Sequence, residues 1–271
     1  MLRESEYQRL LEILIRVMEA NKGVAAGDDD RILDGEGLAL KFFVHAASAL
    51  YLYRGTSLPE FSANFFDPGS INVLCRAALE TFLTFHYVFV TPQSNDDRDC
   101  RYMAWILGGY LERQKLPVWS GEGRALLECE RNLIGPLTQK LKDNAAFRQH
   151  GAKEQKKLLK GRWRLQSWSD IGRSVGLNDV YAEAFYSYLC GYSHSGNLSV
   201  TQMRQANTAE LQRFLCGSSM NVLLVAMANM VKGYCAVFTK AKECLAQDLE
   251  GASLVEVWIG VGNDAGNVLK D

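Results

Sequence analysis

A long, nearly uncharged stretch between two helix-ending signals places the strongest constraint on how this chain folds. Asp67 followed by Pro68 is typical of a helix start, because aspartate caps the first turn and proline lacks an N–H that would need a partner there. Pro92 ends the stretch, since its ring clashes with a preceding helical turn. Between them, residues 70–91 contain only two side chains that are charged at pH 7. We therefore predict a central helix that other helices surround.

The two charged side chains of this helix are Arg76 and Glu80, which lie one turn apart on one stripe. Burial of an isolated charge costs several kcal/mol, so charged groups on a buried helix need partners and hydrogen bonds. The spacing predicts that Arg76 and Glu80 pair with each other. It also predicts that the rest of the chain supplies polar groups around them.

The composition favours a globular helical protein. The chain has 271 residues, 48% of them hydrophobic, and only 5 prolines, which is typical of a large helical core. With 30 basic and 31 acidic residues its net charge is −1, so no overall field indicates a nucleic acid or a membrane as partner. We predict an all-α fold, a multi-helix bundle, with no strands before a short irregular C-terminal tail.

The helical patterns and the loops between them predict three segments. Residues 1–35 form an N-terminal helix and an acidic linker, and residues 36–249 form the bundle core. Within that core, residues 140–173 form a basic connection, and one long helix closes the core from about residue 208 to residue 249. The tail, residues 250–271, has a brief V-x-V-x-I-x-V alternation that indicates a lone strand or coil.

Cysteine usage and the N-terminus indicate the cytoplasm. The seven cysteines are odd in number and scattered through apolar helical contexts, as reduced core residues are. The first residues are charged and lack a signal-peptide core. Two apolar segments, residues 70–91 and 215–238, carry charged or amide side chains that are costly at mid-depth of a bilayer, so we expect buried helices and no membrane. No metal-ligand spacing or nucleotide-binding glycine pattern is present, so we predict no cofactor and no metal.

One of the four histidines has a sequence context that suits chemistry. His45 and His86 lie in apolar helices, where a core histidine with one hydrogen-bond partner is the commoner structure, and His150 lies in the basic connection. His194 ends a helix at a polar corner, where an imidazole acts either as a general acid or base or as a cap on the helix dipole. The other polar side chains of this corner are candidate substrate-binding residues: Tyr192, Ser193, Ser195 and Asn197.

The basic connection is the strongest charge asymmetry of the sequence. Residues 140–173 contain ten basic and three acidic residues, a local balance of +7. Basic residues beside tryptophan bind single-stranded nucleic acid through phosphate contacts and stacking. The alternative is an exposed lysine-rich loop that Trp163 and Trp168 anchor to the core. The candidate RNA contacts are Lys156, Lys157, Lys160, Arg162, Trp163 and Arg164.

Two stretches carry a resemblance to a known family. R-A-A-L-E at residues 76–80 and Y-A-E-A-F-Y-S-Y-L-C-G-Y-S-H-S at residues 181–195 resemble an uncharacterised bacterial helical family of the HEPN type (higher eukaryote and prokaryote nucleotide-binding). The resemblance covers about residues 36–240 and implies a fold of four to five helices. Active HEPN ribonucleases use an arginine followed within four to six residues by a histidine, at a dimer interface. There the pair promotes attack by a ribose 2′-hydroxyl.

This chain departs from that motif, since no arginine lies four to six residues before His194; those positions are Tyr188, Leu189 and Cys190. Arg76 of the central helix would have to take the arginine's place. We therefore expect the two predicted helices at residues 70–91 and 180–192 to pack together.

Two hypotheses for the function follow. In the first, an HEPN-like homodimer binds or cleaves RNA without metal, as a toxin or phage-defence component. His194 is then the general acid or base, Arg76 stabilises the phosphate, and Glu80 orients one of them. In the second, the chain is a non-catalytic scaffold that binds a protein partner, and the three residues form a structural cluster. An open polar site favours the first, and a fully buried cluster favours the second.

Overall fold

The computed structural model describes residues 2–24, 29 and 31–268, and in this part of the chain most residues are helical. The α-helices in chain order are α1 (Glu4–Ala20), α2 (Arg31–Tyr53), α3 (Pro68–Phe85), α4 (Asn95–Arg113), α5 (Gly121–Asp143), α6 (Ala145–Gln149), α7 (Ala152–Leu159), α8 (Trp168–Ser174), α9 (Tyr186–Ser193), α10 (Asn197–Gln205), α11 (Ala209–Val237), α12 (Thr239–Ala246) and α13 (Leu249–Val268). Two further segments, His86–Val90 and Val180–Phe185, are π-helical. The prediction of an all-α fold is confirmed.

The prediction that the chain has no strands before its tail is wrong in one place. An antiparallel hairpin of β1 (Thr56–Leu58) and β2 (Ala63–Phe65) connects α2 to α3. Its strands have three residues each and turn through a 3-10 segment at Pro59–Phe61. Strands this short give no measurable alternation of apolar and polar residues, which is the signal that sequence reading depends on.

Helix α3 begins as its sequence predicts. The Asp67 carboxylate accepts a hydrogen bond from the Ser70 backbone N–H at 2.9 Å, and Pro68 occupies the first helical position. The helix passes into the π-helical segment His86–Val90, which ends before Pro92.

The chain folds into two compact units with different boundaries from the three predicted segments. Unit 1 comprises Met1–His86 and Trp168–Asp271, and unit 2 comprises Tyr87–Ser167. In unit 1, α3 packs against α2, α9 and α11, while α1 and α13 pack against α11. In unit 2, α4 to α7 enclose a small core of Cys100, Ala104, Leu107, Leu141, Phe147 and Leu158.

The N-terminal helix belongs to the core of unit 1. Tyr7, Leu10 and Leu14 of α1 are fully buried, and the Tyr7 hydroxyl donates to the Ala46 carbonyl oxygen of α2 at 2.9 Å. Helix α2 begins at Arg31, within the range assigned to the acidic linker; of that linker, residues 25–28 and 30 lie outside the described residues.

The predicted irregular tail is wrong, because α13 (Leu249–Val268) is a helix. Its buried positions are spaced four, three, one and three residues apart, which is a helical face packed on α11: Gly251, Val255, Trp258, Ile259 and Gly262. The V-x-V-x-I-x-V run has an apolar residue at every second position, which is why it indicated a strand. Over the longer range from Gly251 to Gly262, the buried positions follow the helical period. Residues 269–271 of the predicted tail lie outside the described residues.

The single closing helix predicted for residues 208–249 is two helices. Helix α11 ends at Val237, and Phe238 takes an extended conformation with φ −113° and ψ 110° before α12 begins. Phe238 is buried beside Tyr234, with ring centroids 4.2 Å apart. Packing of this ring sets the break, and no glycine or proline marks it in the sequence.

Two helical stretches have the length and apolar composition that a membrane span requires. They are Pro68–Val90 and Ala209–Val237, and 61% and 78% of their most apolar windows are buried inside the protein. Buried core helices and membrane spans share this composition, so these stretches are weak evidence for a membrane.

Candidate functional site

Four side chains from two helices of unit 1 form one hydrogen-bonded cluster. Arg76 Nε donates to Glu80 Oε1 at 3.0 Å along α3. Arg76 Nη1 lies 3.2 Å from Nε2 of His194, which is 118 residues away at the end of α9. The Tyr186 hydroxyl, at the start of α9, donates to Glu80 Oε1 at 2.9 Å. The two helices that the sequence predicts to meet therefore do so through Arg76, Glu80 and His194.

Local backbone geometry holds His194 at this position. It caps α9, and the next residue, Ser195, has a left-handed φ of 52°, which is the conformation that commonly ends a helix. The Gly196 backbone N–H then donates to the Gly191 carbonyl oxygen at 2.7 Å. A Cβ on Gly196 would lie 3.1 Å from that oxygen, so the tight return of the chain favours glycine.

The cluster is open to solvent on one side. The Arg76 and Glu80 side chains are 21% and 29% exposed, and His194 is exposed. Burial by itself would lower the pKa of Arg76, but the Glu80 charge and the Tyr186 phenol outweigh it and raise the pKa. Burial, followed by the hydrogen bond to Glu80, raises the pKa of Tyr186 well above its usual value. Arg76 is thus a fixed cation, and Tyr186 a fixed hydrogen-bond donor.

The contacts also define which atoms remain available. A guanidinium group has only donors, so the contact with Arg76 requires His194 Nε2 to be the acceptor and places the neutral imidazole's proton on Nδ1. Arg76 has five N–H donors and uses those on Nε and Nη1 in these contacts. The remaining donors and the exposed imidazole could bind an oxyanion and exchange a proton with it.

The other predicted residues of the corner have structural contacts. The Tyr192 hydroxyl donates to Gln202 Oε1 at 3.0 Å, and the Ser193 hydroxyl to the Leu189 carbonyl oxygen at 3.2 Å. Ser195 forms the left-handed turn, and Asn197 is the exposed first residue of α10. Tyr192, a candidate substrate-binding residue, has its hydroxyl bonded to α10.

Sequence reading missed Tyr186, which completes the cluster. Tyr186, Cys190 and His194 are spaced by four residues, so they follow one side of α9. That spacing was a usable signal, but Y-S-Y-L-C-G-Y contains three tyrosines and does not indicate which one faces α3. The π-helical segment Val180–Phe185 just before Tyr186 sets the register, and it has no sequence pattern of its own.

The candidate RNA contacts of the basic connection belong to unit 2. Lys156 and Lys160 are exposed, while Lys157, Arg162 and Arg164 line a cavity of about 500 Å3. Trp163 is partly buried against the small core, with its ring centroid 5.8 Å from that of Tyr87. Trp163 therefore anchors the segment, as the alternative interpretation predicts, and it also lines this cavity.

The remaining histidines lie apart from the cluster. His86 is buried, with Nε2 3.2 Å from the Asn229 carbonyl oxygen, as predicted for a core histidine. His150 lies in unit 2, with Nδ1 3.5 Å from Glu154 Oε2. His45 is partly buried, and within the part of the chain that the structure describes its Nε2 has no hydrogen-bond partner. Across the described residues, no three His, Cys, Asp or Glu side chains are grouped as metal ligands would be.

Comparison of the chain with protein-family models, with curated proteins and with solved structures gave no match.

Proposed function

We propose that this protein is an HEPN-like, metal-independent ribonuclease that binds and cleaves RNA in the cytoplasm. The observation that supports it best is the direct contact of Arg76 and His194 at a solvent-accessible site, 3.2 Å apart and 118 residues apart in sequence. An arginine beside a histidine is the combination that the resemblance leads us to expect. Here the arginine comes from α3 rather than from the histidine's own helix. A toxin or phage-defence component is the biological role that suits such an activity.

The reaction uses the RNA's own 2′-hydroxyl as nucleophile. A phosphate oxygen binds Arg76 and takes the place of His194 at Nη1, which frees the imidazole Nε2 lone pair. His194 accepts the 2′-hydroxyl proton while the 2′-oxygen forms a bond to phosphorus and the bond to the 5′-oxygen breaks. The imidazolium then returns a proton to the leaving 5′-oxygen. The products are a 2′,3′-cyclic phosphate and a 5′-hydroxyl.

Arg76 stabilises the negative charge that develops on the phosphate, where a preorganised cation is most effective. Glu80 holds the guanidinium through Nε, and Tyr186 holds Glu80 through Oε1. Neither carboxylate nor phenol has to exchange a proton. Their role is to orient Arg76 before substrate binds.

Cleavage of a defined RNA strand in the presence of EDTA tests the proposal. The wild type is expected to give cyclic-phosphate ends, and His194→Ala to give none. His45→Ala, at a histidine of α2 that lies outside the cluster, is the matched control and is expected to cleave as the wild type does. A strand with 2′-deoxyribose at every position should resist cleavage, because it lacks the nucleophile.

Equal cleavage by wild type and His194→Ala, or by neither protein, would contradict the proposal. The second result favours the scaffold hypothesis. One observation supports the scaffold hypothesis: Glu80 Oε1 accepts hydrogen bonds from both Arg76 and Tyr186, as in a structural cluster.

A further inference from the structure

Two cavities in unit 2 share one wall and differ in the chemistry of their other walls. The smaller has a volume of about 250 Å3 and the larger about 500 Å3. Trp163, Leu165 and Gln166 line both of them. The two cavities therefore adjoin at these three residues.

The larger cavity attracts anions. Lys157, Arg162 and Arg164 line it, against a single carboxylate, that of Glu112. Within the described residues neither Lys157 nor Arg162 forms an ion pair. Cations that converge without a carboxylate partner favour a phosphate, which accepts several charge-assisted hydrogen bonds.

Arg164 has a different role from the other two cations. Its Nη1 donates to the Gln166 carbonyl oxygen at 2.8 Å and so supports the loop that forms the shared wall. Lys157 and Arg162 are therefore the two cations whose removal tests the charge of the cavity without removing that hydrogen bond.

The smaller cavity suits a flat, neutral, hydrogen-bonding group. The rings of Tyr87 and Trp163 meet edge to face on one side, with centroids 5.8 Å apart. His150, Glu154 and Gln166 also line this cavity and provide donors and acceptors. A dry cavity of about 150 Å3 accommodates benzene, so a volume of about 250 Å3 is sufficient for a nucleobase.

The one arginine of the smaller cavity is neutralised. Arg101 donates from Nε and Nη2 to the two carboxylate oxygens of Asp97, at 2.8 Å each, and its guanidinium lies 4.6 Å from the centroid of the Tyr87 ring. Its charge is therefore compensated, and the phosphate is favoured in the larger cavity rather than here.

We propose that unit 2 binds one nucleotide of a single-stranded RNA, with the phosphodiester between Lys157 and Arg162 and the base in the smaller cavity. This inference rests on the proposed function in taking RNA as the ligand, but it concerns a site in unit 2 rather than the cluster of unit 1. The exposed Lys156 and Lys160 add a general attraction for the strand.

Binding of a fluorescently labelled single-stranded RNA to the full chain tests the phosphate half of the site. The protein carries His194→Ala so that cleavage does not interfere. Lys157→Ala with Arg162→Ala is expected to weaken binding about tenfold and to reduce the salt slope of log K by about 0.7, the value for one phosphate of a single strand. Lys140→Ala with Lys142→Ala is the matched control, since both lysines are exposed on α5 of the same unit. It removes the same charge and is expected to weaken binding less than about twofold, by general attraction alone.

An abasic RNA strand of the same length tests the base half. Base–aromatic contact contributes about 1–3 kcal/mol per base, so the abasic strand is expected to bind at least about fivefold more weakly. Inorganic phosphate, tested as a competitor, should not displace the RNA at equal phosphate concentration. If it does, and if the abasic strand binds as tightly as the normal one, the site binds phosphate only and the inference is overturned.

The outcomes for this site and for the cluster of unit 1 are separable. Binding that depends on Lys157 and Arg162, without any cleavage by the wild type, would support this inference and remove the proposed catalysis. Cleavage that depends on His194, with equal RNA affinities for the cavity and control variants, would support the proposed catalysis and contradict this inference. Melting temperatures should stay near the wild-type value, because Arg162, Lys140 and Lys142 are exposed and Lys157 forms no ion pair within the described residues.

Discussion

At the residue scale, the Tyr186 hydroxyl orients Glu80, because it occupies one lone pair of the oxygen that also holds Arg76. Tyr186→Phe is expected to lower kcat/KM for RNA about fivefold, since a net hydrogen bond contributes about 1 kcal/mol. Tyr192→Phe is the matched control, as its hydroxyl bonds Gln202 outside the cluster. Equal rates for the two variants in a single-turnover cleavage assay would show that Tyr186 does not orient the site.

The Arg76–Glu80 pair is also expected to stabilise the fold. Since the two side chains are 21% and 29% exposed, Glu80→Ala should cost about 1–2 kcal/mol, between the values for surface and fully buried pairs. Glu128→Ala is the control, because its pair with Arg131 is 60% exposed on both sides and should contribute less than about 0.5 kcal/mol. Urea denaturation measures both; a loss of 3–5 kcal/mol would show a cluster closed to water.

His86 makes stability depend on pH. Burial lowers its pKa to about 4, against an opposing hydrogen bond to the Asn229 carbonyl oxygen. The unfolded chain, with a pKa of about 6.5, binds a proton first as pH falls, so the stabilising effect is complete above pH 6.5 and is lost towards pH 4. Between pH 7 and pH 5 we expect a loss of about 2 kcal/mol from this residue. His86→Gln should remove that part of the pH dependence, and His150→Gln should leave it.

At the scale of elements, two adjacent glycines of α4 have opposite surroundings. A Cβ on Gly108 would lie 2.9 Å from the Gly161 carbonyl oxygen and 3.2 Å from Trp163 Cδ1, while a Cβ on Gly109 meets nothing within 4 Å. Gly109→Ala should therefore stabilise the protein by about 0.5–1 kcal/mol through helix propensity. Gly108→Ala should destabilise it by about 1–3 kcal/mol, because the loop at Gly161 has to move. Thermal unfolding of the two variants measures the difference; equal shifts would place the loop elsewhere.

Elements marked by local chemistry were predictable, and elements set by packing were not. Asp67 and Pro68 specify the start of α3 through one capping bond, which depends only on neighbours in the sequence. The break at Phe238 and the π-helical segment before Tyr186 depend on what their side chains pack against, so no local signal marks them. Pairing of Arg76 with Glu80 followed from their spacing, whereas the choice of Tyr186 over Tyr192 depended on helix register.

At the scale of the whole molecule, the near-zero net charge conceals two oppositely charged units. Unit 2 has 15 basic and 9 acidic residues, a net charge of +6, and the residues of unit 1 therefore sum to −7. A net charge of −1 for the whole chain indicated no anionic partner. The charge of unit 2 alone favours one, in agreement with the binding site we propose for RNA.

One side of α2 has a stripe of exposed apolar side chains. Leu33, Leu40, Val44 and Tyr51 are spaced seven, four and seven residues apart and are 49–75% exposed. This spacing places them along one line of the helix, as in a seam between paired helices. A stripe of exposed apolar side chains of this kind is typical of an interaction site.

We therefore expect a two-fold homodimer in which α2 of one copy packs against α2 of the other, since an apolar stripe is complementary to itself. Leu40→Glu with Val44→Glu should halve the mass measured by light scattering at micromolar concentration, because the dimer would bury four carboxylates without partners. Val257→Glu is the matched control: Val257 is 53% exposed on α13, and its substitution should leave the mass unchanged. A monomer mass for the wild type would contradict the dimer. Dissociation by Val257→Glu but not by the α2 variant would instead place the interface on α13.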